Sequence, residues 1–346
     1  MKKIIAMLLA LAMVFALAAC GSSGTDSAPA DNGESVSVSE KDKIVIKLAD
    51  VQAENDVETQ FEHKFAELVQ EKSGGRIEVH VFPSGQMGEM ADILQSVQLG
   101  SIQMTRTNPS WLADAGVGSM NLLSLPFIFK DLENANKILD GEIGDKMLEE
   151  ITEKDISVKG LGYLEPSGRY FFFTNKEVAN LNDIKSLKIR VPTNSLATSM
   201  VEHLGASATP ISYSELYSSL QTGIVDGADN PLKGILNMSF FEVSKYVLDL
   251  AHQYEASVMI MNSDFWNSLS EEDQQIIQEA MDEGAEYYKQ IAEAELDGYK
   301  TTLEEKGLTF VTPDDPQEWI DAVTPMYADF SAGYEELLQE IVDAQK

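Results

Sequence analysis

Residues 186–231 read SLKIRVPTNSLATSMVEHLGASATPISYSELYSSLQTGIVDGADNP, and short apolar runs alternate in them with stretches of helical periodicity. The run LKIRVP predicts a strand that carries Arg190 near its carboxyl end. Helical patterns follow near 195–204 and at 214–221, and the run IVDGA then leads to Asn230. Alternation of this kind is typical of an α/β sheet, in which ligands bind beyond the carboxyl ends of the strands.

Arginine is rare in this chain. Of the 25 basic residues four are arginines, which leaves 21 lysines. Because lysine supplies the ordinary surface charge, we expect arginine where geometry matters. The planar guanidinium binds a carboxylate through two parallel hydrogen bonds, which an ammonium cannot do. Two interpretations of Arg190 follow: an ion pair with an acidic residue of the protein, or a contact with the carboxylate of a ligand.

The length and charge of the chain restrict its function. A chain of 346 residues can form two domains with a hydrophobic core in each. The formal net charge is −32, from 57 acidic and 25 basic residues. Nucleic acid is excluded as a partner, because phosphate binding requires a basic surface. The negative charge also repels an anionic ligand, but salt at about 0.15 M screens this repulsion beyond about 8 Å, so a local arginine cluster can still attract the ligand.

Cys20 is the only cysteine, which excludes disulfides and cysteine-based zinc sites. The basic start MKK, the apolar run at 4–16 and the sequence LAAC predict a bacterial lipoprotein signal peptide at 1–20, with a lipid on Cys20. An ordinary signal peptide or a membrane anchor is the alternative. Residues 21–43 are rich in Ser, Gly, Asp and Ala, and they predict a disordered linker. We therefore expect an extracytoplasmic protein, lipid-anchored to the outer face of the cytoplasmic membrane or periplasmic.

The first half of the chain also alternates strands with helices. Strands are predicted at 43–49, 76–82 and 100–106. Side chains that follow the first and third strands should face the ligand cleft, because the carboxyl ends of parallel strands meet at one edge of a sheet. Helix capping, packing or surface exposure is the alternative role for each of them. These candidates are Gln52, Glu54, Asn55, Arg106, Asn108 and Trp111.

The second half of the chain has two further features. Two strands are predicted to meet at a crossing point, residues 165–168, with Arg169 at the start of the second strand. An uninterrupted helical pattern at 270–305 predicts a helix of about 50 Å, which is longer than one domain needs. We prefer a helix that runs across both domains to a coiled-coil helix. A strand at 309–311 and a helix from residue 317 onward then pack back.

Motifs for catalysis and metal binding are missing from the sequence. The loop from Asp50 does not match a calcium loop, because Asn55 and Phe61 stand where the motif requires Gly and Glu. The sequence contains no complete dinucleotide motif, P-loop, serine-hydrolase motif or zinc-protease motif. We therefore expect no cofactor, no metal and no enzymatic activity.

A series of motifs resembles the substrate-binding proteins of tripartite ATP-independent periplasmic (TRAP) transporters, the DctP-like family, from Ile44 to the end of the chain. The motifs are GRI at 75–77, FPSGQMG at 82–88, LPF at 125–127, LKIRVP at 187–192, GASATP at 205–210, SELY with LQTG at 214–223, and VDG at 225–227. The resemblance implies a periplasmic-binding-protein-like (Venus flytrap) fold, with two α/β domains, a hinge and a long helix that spans both. We expect domain I at 44–166 plus 256–295, and domain II at 167–255 plus 296–346.

The resemblance also implies how the chain functions. Proteins of this family close on one organic acid and deliver it to a membrane permease that is driven by an ion gradient. The arginine of the LKIRVP motif, here Arg190, pairs with the ligand carboxylate. Arg169, Asn230 and Tyr213 match a second arginine, a polar residue before proline, and an aromatic residue that covers the ligand. The sequence departs from many relatives at Asp229, where they have Glu.

The additional cation Arg106 favours a sugar acid, such as a uronate, over a C4-dicarboxylate as the ligand. We expect the protein to act as a monomer. Two other functions remain open from the sequence. One is an extracytoplasmic hydrolase that uses paired carboxylates, and the other is a sensor that presents its ligand to a receptor.

Overall fold

The computed structural model describes residues 43–346, with the exception of the side chains of residues 293–297. Three predictions lie outside the described residues: the signal peptide at 1–20, the lipid on Cys20, and the linker at 21–43 apart from its last residue.

In the part of the chain that the structure describes, ten strands form one mixed sheet. They are β1 (Ile44–Ala49), β2 (Ile77–Phe82), β3 (Met104–Thr107), β4 (Val158–Phe173), β5 (Lys188–Val191), β6 (Ser207–Pro210), β7 (Gly227–Pro231), β8 (Tyr246–Leu248), β9 (Gln253–Asn262) and β10 (Thr309–Val311).

Helices cover and connect these strands. They are α1 (Val57–Lys72), α2 (Met90–Gln98), α3 (Pro109–Asp114), α4 (Leu132–Leu139), α5 (Glu142–Glu153), α6 (Leu181–Ile184), α7 (Ser195–His203), α8 (Leu216–Thr222), α9 (Leu232–Asn237), α10 (Ser263–Ser268), α11 (Glu271–Glu305), α12 (Pro316–Val323), α13 (Tyr327–Phe330) and α14 (Glu335–Asp343).

The strand order is β2-β1-β3-β9-β4-β7-β5-β6, and β8 joins β4 to β10 at the side. Strand β1 runs parallel to β2 and β3, and β5 runs parallel to β6 and β7. The two parallel groups are joined by the antiparallel strands β9 and β4. The predicted α/β architecture is therefore confirmed, with one parallel group on each side of a two-strand connection.

Strand β4 corrects one prediction. We expected two strands that meet at 165–168, but the structure has one strand of 16 residues. Its pairing with β9 shifts between Leu164 and Ser167, so that Glu165 and Pro166 lie opposite the single residue Ala256. Proline lacks an N–H group and is tolerated in a sheet at such a bulge. The pairing of β4 with β9 resumes beyond the bulge, from Ser167 onward.

Helix α11 contributes to two hydrophobic cores. Its N-terminus is capped by Ser270, whose hydroxyl accepts a hydrogen bond from the Asp273 N–H at 3.1 Å. Met281 and other residues of its first half pack in a core with Phe61. Leu303 packs in a different core with Phe172. With 35 residues at about 1.5 Å each, the helix is long enough to reach both, as predicted. The exact domain boundaries stay a prediction.

Candidate ligand-binding site

A cavity of about 110 Å³ lies between the two parallel groups of strands. Its walls come from the segments that follow β1 and β3, from the N-terminal part of α2, and from β4, β5 and β7. Eight of the ten predicted ligand residues line it. They are Gln52, Arg106, Asn108, Trp111, Arg169, Arg190, Tyr213 and Asn230.

Arg190 lines this cavity and has no acidic partner among the residues that the structure describes. It lies on β5 between two parallel neighbours, and it is only 4% exposed. Its Nε donates to the backbone carbonyl of Ile211 at 2.8 Å, and its Cζ lies 5.7 Å from the centre of the Tyr213 ring. Among the described residues no carboxylate lies within 4.0 Å of it and no acceptor bonds its two terminal nitrogens. Burial lowers the pKa of Arg190 to about 10, so the group stays charged at neutral pH.

Arg169 also lines the cavity, but protein acids hold its guanidinium. Its Nε donates to Asp229 Oδ2 at 2.7 Å and its Nη1 to Glu255 Oε2 at 3.0 Å. Burial opposes the charge of Arg169, but these two carboxylates outweigh that effect and raise its pKa above the usual value. His252 Nε2 lies 3.4 Å from Asp229 Oδ2 on the other side. Arg169 therefore adds positive charge to the cavity through a network and is less available to a ligand than Arg190.

Arg106 forms two parallel hydrogen bonds with a carboxylate, as expected for an arginine in this chain, but the carboxylate is that of Asp50 in the protein. Its Nε donates to Asp50 Oδ2 at 2.6 Å and its Nη2 to Asp50 Oδ1 at 2.9 Å. Its Nη1 donates to Ser257 Oγ at 3.2 Å. The additional cation that we expected to meet the ligand is thus already neutralised by Asp50, and its wall of the cavity is close to electrically balanced.

Asn230, Tyr213 and Gly234 form a tightly packed corner. The Asn230 amide donates to the Tyr213 hydroxyl at 3.0 Å. Burial raises the pKa of Tyr213 to about 12, so its hydroxyl is protonated at neutral pH and free to donate into the cavity. A Cβ atom placed on Gly234 would lie 2.4 Å from Asn230 Nδ2 and 3.2 Å from the Tyr213 hydroxyl. Only glycine leaves both polar groups in place.

Glu54 does not line the cavity. Its carboxylate pairs with His63 Nε2 at 3.0 Å, and its side chain is 68% exposed. Asn55, on the same loop, is also exposed. The loop turns away because Asp50 Oδ1 accepts hydrogen bonds from the backbone N–H groups of Val51 and Gln52, which directs Gln52 to the cavity and the following residues to solvent.

A second, larger cavity of about 390 Å³ lies near the bulge in β4. Its lining is rich in tyrosine and contains two lysines, Lys233 and Lys300. Both ammonium groups have acidic partners, at 2.6 Å from Glu58 and from Asp249 respectively. This cavity therefore lacks the uncompensated cation that marks the first one.

Comparison with known proteins identifies the family. The family model for bacterial extracellular solute-binding proteins, family 7 (DctP), matches residues 48–333. The C4-dicarboxylate-binding periplasmic protein DctP of Rhodobacter capsulatus is 29% identical over 287 residues, which cover 82% of this chain and 85% of the relative. The chain belongs to the DctP family of TRAP solute-binding proteins.

Solved structures of TRAP periplasmic solute-binding proteins share the fold. One from Pseudomonas putida F1, with bound D-glucuronate, has a TM-score of 0.83 and 28% identity, and the match covers 86% of this chain and 96% of that chain. One from a Bradyrhizobium species, in complex with galacturonate, has a TM-score of 0.82 and 30% identity, with 86% and 99% covered. The predicted two-domain Venus flytrap fold of the DctP family is therefore confirmed.

Hydrogen bonds close the rim of the cavity in this DctP-family chain. The Ser214 hydroxyl donates to Glu89 Oε1 at 2.5 Å. The backbone N–H of Ser195, at the start of α7, donates to Asp114 Oδ2 at 3.0 Å, and the Ser195 hydroxyl donates to Asp114 Oδ1 at 2.5 Å. These bonds join the first parallel group of the sheet to the second. The structure therefore shows the cleft in a closed arrangement.

Sequence reasoning did not find the acids that organise this DctP-family site. Asp50 and Glu255 lie 56 and 86 residues from the arginines they hold, and no local pattern indicates such pairs. The only available signal was the scarcity of arginine itself. Among the described side chains, no group of three or more His, Asp or Glu could hold a metal ion. None of the helices in the described part of the chain is both long and apolar enough to cross a bilayer.

Proposed function

We propose that this chain is the solute-binding subunit of a TRAP transporter and that it captures an organic acid through Arg190. The acid is held unchanged between the two domains and is delivered to the membrane permease. The ligand class we favour is a sugar acid such as a uronate, followed by a C4-dicarboxylate.

The observation that carries the proposal is the buried, unpaired guanidinium of Arg190. A buried charge without a partner is energetically unfavourable, and a ligand carboxylate would supply the missing partner of Arg190. The carboxylate would accept from the two terminal nitrogens, while the Ile211 carbonyl fixes the orientation of the fork. Each charge-assisted hydrogen bond contributes about 1.5–3 kcal/mol.

The rest of the lining supports a hydroxyl-rich acid. Gln52, Asn108 and Asn230 supply amides that both donate and accept hydrogen bonds, as sugar hydroxyls require. Trp111 offers an aromatic surface for a ring. Bound uronates in two structural relatives agree with this choice, and the C4-dicarboxylate-binding relative is the reason for the second choice.

The remaining parts of the proposal rest on the sequence. The lipoprotein signal at 1–20 supports an anchor through a lipid on Cys20, outside the cytoplasm. The description of the family as extracellular agrees with that location. We also propose the domain boundaries given above, a monomer, and binding without catalysis or cofactor.

Isothermal titration with D-glucuronate, D-galacturonate and succinate tests the proposal. We expect at least one acid to bind the wild type, and Arg190→Ala to lose at least about 100-fold in affinity, as two charge-assisted bonds imply. Arg190→Lys keeps the charge but loses the fork, so its affinity should fall at least about tenfold. Arg76→Lys is the matched control, because Arg76 pairs with Asp273 outside the cavity.

Near-normal affinity of Arg190→Lys would refute the proposed two-bond contact. Mass spectrometry of the acid recovered after incubation separates binding from hydrolysis. Recovery of a cleaved product from the wild type would favour the hydrolase.

A further inference from the structure

Lys233 lies in a buried cluster of charges that the proposed binding site does not use. It is carried by α9, which begins directly after the strand that holds Asn230. Its Nζ lies 2.6 Å from Glu58 Oε1 and 3.9 Å from Asp56 Oδ1. It also donates to the Tyr288 hydroxyl of α11 at 3.0 Å. One buried ammonium therefore contacts three side chains from two other helices.

The acids around Lys233 belong to the start of α1. Asp56 caps that helix by accepting from the Glu58 N–H at 3.2 Å, and Glu58 lies in the first turn. Glu62 follows one turn later, and neither of its buried carboxylate oxygens has a hydrogen-bond partner. Arg106 is the other buried cation nearby, but Asp50 occupies its fork. Among the described residues, Lys233 is therefore the only cation with a nitrogen within 4.0 Å of a carboxylate oxygen of Glu58.

The charge states follow from this arrangement. Burial raises the pKa of Glu62 well above its usual value and the nearby Asp50 adds to the shift, so the neutral form of Glu62 is favoured. Burial acts in the same direction on Glu58, but the ammonium of Lys233 outweighs it and lowers the Glu58 pKa below its usual value. Glu58 is therefore ionised because Lys233 is present.

A second contact joins the same two helices. Asn237, one turn after Lys233 on α9, donates its amide to Asp56 Oδ2 at 3.1 Å. Under the proposed boundaries α9 belongs to domain II, whereas α1 and Tyr288 belong to domain I. The contacts of Lys233 and Asn237 are therefore contacts between domains, and they lie outside the wall where the ligand is expected.

The position of Lys233 connects this contact to the ligand site. Asn230 precedes it by three residues, and Gly234 follows it with its backbone packed against Asn230 and Tyr213. A ligand that fixes Asn230 would also fix the start of α9 and hold Lys233 against Glu58. Opening of the cleft would expose the charges of Lys233 and Glu58 to water, and neither charge would then require the other as a partner.

We propose that Lys233 is a positioning residue that couples ligand capture to domain closure, by pairing with Glu58 across the domains only when the cleft is shut. This inference rests on the proposed function and on the proposed boundaries. According to this inference, the Lys233–Glu58 pair stabilises the closed form of the protein and does not contribute to the folding of either domain.

Distance measurements between two spin labels test this assignment. Labels on Leu99→Cys and Ile224→Cys report the separation of the two halves, since these side chains are 78% and 54% exposed. The full chain carries Cys20→Ala so that only these positions react. The variant Lys233→Met is compared with the wild type, and Lys64→Met is the matched control. Lys64 lies on α1 and forms a surface pair with Glu67.

We expect Lys233→Met to lower the closed fraction and to weaken the affinity for D-glucuronate at least roughly tenfold, because Glu58 would be buried without a partner. Adding Glu58→Gln to Lys233→Met should restore part of the closed fraction but leave it below that of the wild type, since the buried charge is then gone but the pair across the domains is still missing. The double variant also decides the question if Lys233→Met fails to fold. Lys64→Met should behave as the wild type.

The proposal is overturned if Lys233→Met, or the double variant in its place, matches the wild type in closed fraction both without and with D-glucuronate. A lower melting temperature with an unchanged closed fraction would also overturn it, since the pair would then serve folding alone. Failure of every acid to bind the wild type contradicts the proposed function instead. The label distances in the free protein still test Lys233 in that case.

Discussion

Three of the four arginines pair with an aspartate of the protein, whereas Arg190 has no acidic partner among the described residues and donates to the backbone carbonyl of Ile211. The three ion pairs are Arg76–Asp273, Arg106–Asp50 and Arg169–Asp229. The scarcity of arginine thus indicated a geometric role, but it did not distinguish the structural pairs from the ligand contact that we propose for Arg190. What separates Arg190 is the position of its neighbours in space. Sequence spacing does not contain that information, and the family motif supplied it.

Asp56 provides a prediction at the scale of one residue. Burial and the neighbouring Glu58 raise its pKa from 3.8 to about 8 in the folded protein. Between these values the folded form binds a proton that the unfolded chain does not bind. Asp56 therefore stabilises the fold fully below pH 4, and its contribution is lost as the pH rises towards 8, by at most about 1.4 kcal/mol per pH unit.

Asp56→Asn removes this titration and can keep the helix cap. We expect the free energy of unfolding of the variant, relative to the wild type, to increase from pH 5 to pH 8 in urea titrations. Asp329→Asn is the control, because Asp329 is exposed. Parallel pH curves for the wild type and Asp56→Asn would contradict the assignment.

At the scale of elements, the close approach of α1 and α11 determines the core of the first half. Gly284 on α11 faces Phe61 on α1, and a Cβ atom at Gly284 would lie 2.9 Å from the Phe61 ring. The Phe61 ring also meets Tyr288 edge-on, with 6.3 Å between the ring centres. The helical period predicted α11, but the sequence did not show that a glycine sets its distance from α1.

Gly284→Ala should reduce the free energy of unfolding by about 1–3 kcal/mol, because the added methyl group overpacks this contact. Gly298→Ala is a control on the same helix, where an added Cβ would meet no atom within 4 Å. It should increase stability by roughly 0.5–1 kcal/mol through helix propensity. Chemical denaturation compares the two. Equal effects of the two substitutions would show that Gly284 does not hold the helices close.

One element that sequence reasoning misread is the continuous strand β4, which we expected as two strands. Pro166 predicted an interruption, since proline usually ends a strand. The structure keeps the strand intact through a bulge opposite Ala256, and a bulge depends on a partner strand about 90 residues away in sequence. Strands β1 and β2 and helix α11 were predicted well because their patterns are local. Glu54 was misplaced because strand-end geometry locates a loop but not each side chain on it.

At the scale of the whole molecule, the net charge of −32 opposes the approach of the organic acid that we propose as the ligand. The repulsion acts over a Debye length of about 30 Å at 0.01 M salt and about 8 Å at 0.15 M. Arg190 is buried, so its attraction acts only near the cleft. Long-range and local electrostatics therefore have opposite signs.

We expect the association rate constant for D-glucuronate to rise severalfold between 0.01 and 0.15 M salt, as screening removes the repulsion. The dissociation rate constant should change little, because the bound acid is shielded from salt inside the cavity, and it provides the internal control. Stopped-flow fluorescence measures both rates. An association rate that falls with salt would mean that the arginines already dominate the field outside the cleft.

The corner at Gly234 limits how this protein can be re-engineered. Because not even a methyl group fits on Gly234 beside Asn230, the corner that Asn230 and Tyr213 form in the cavity cannot be redesigned one side chain at a time. A change of ligand specificity would require substitutions on the opposite wall, at Gln52, Asn108 and Trp111. These side chains reach the cavity from loop and helix positions. Selection of variants that bind other organic acids should therefore yield substitutions on one side of the cleft and leave the other side unchanged.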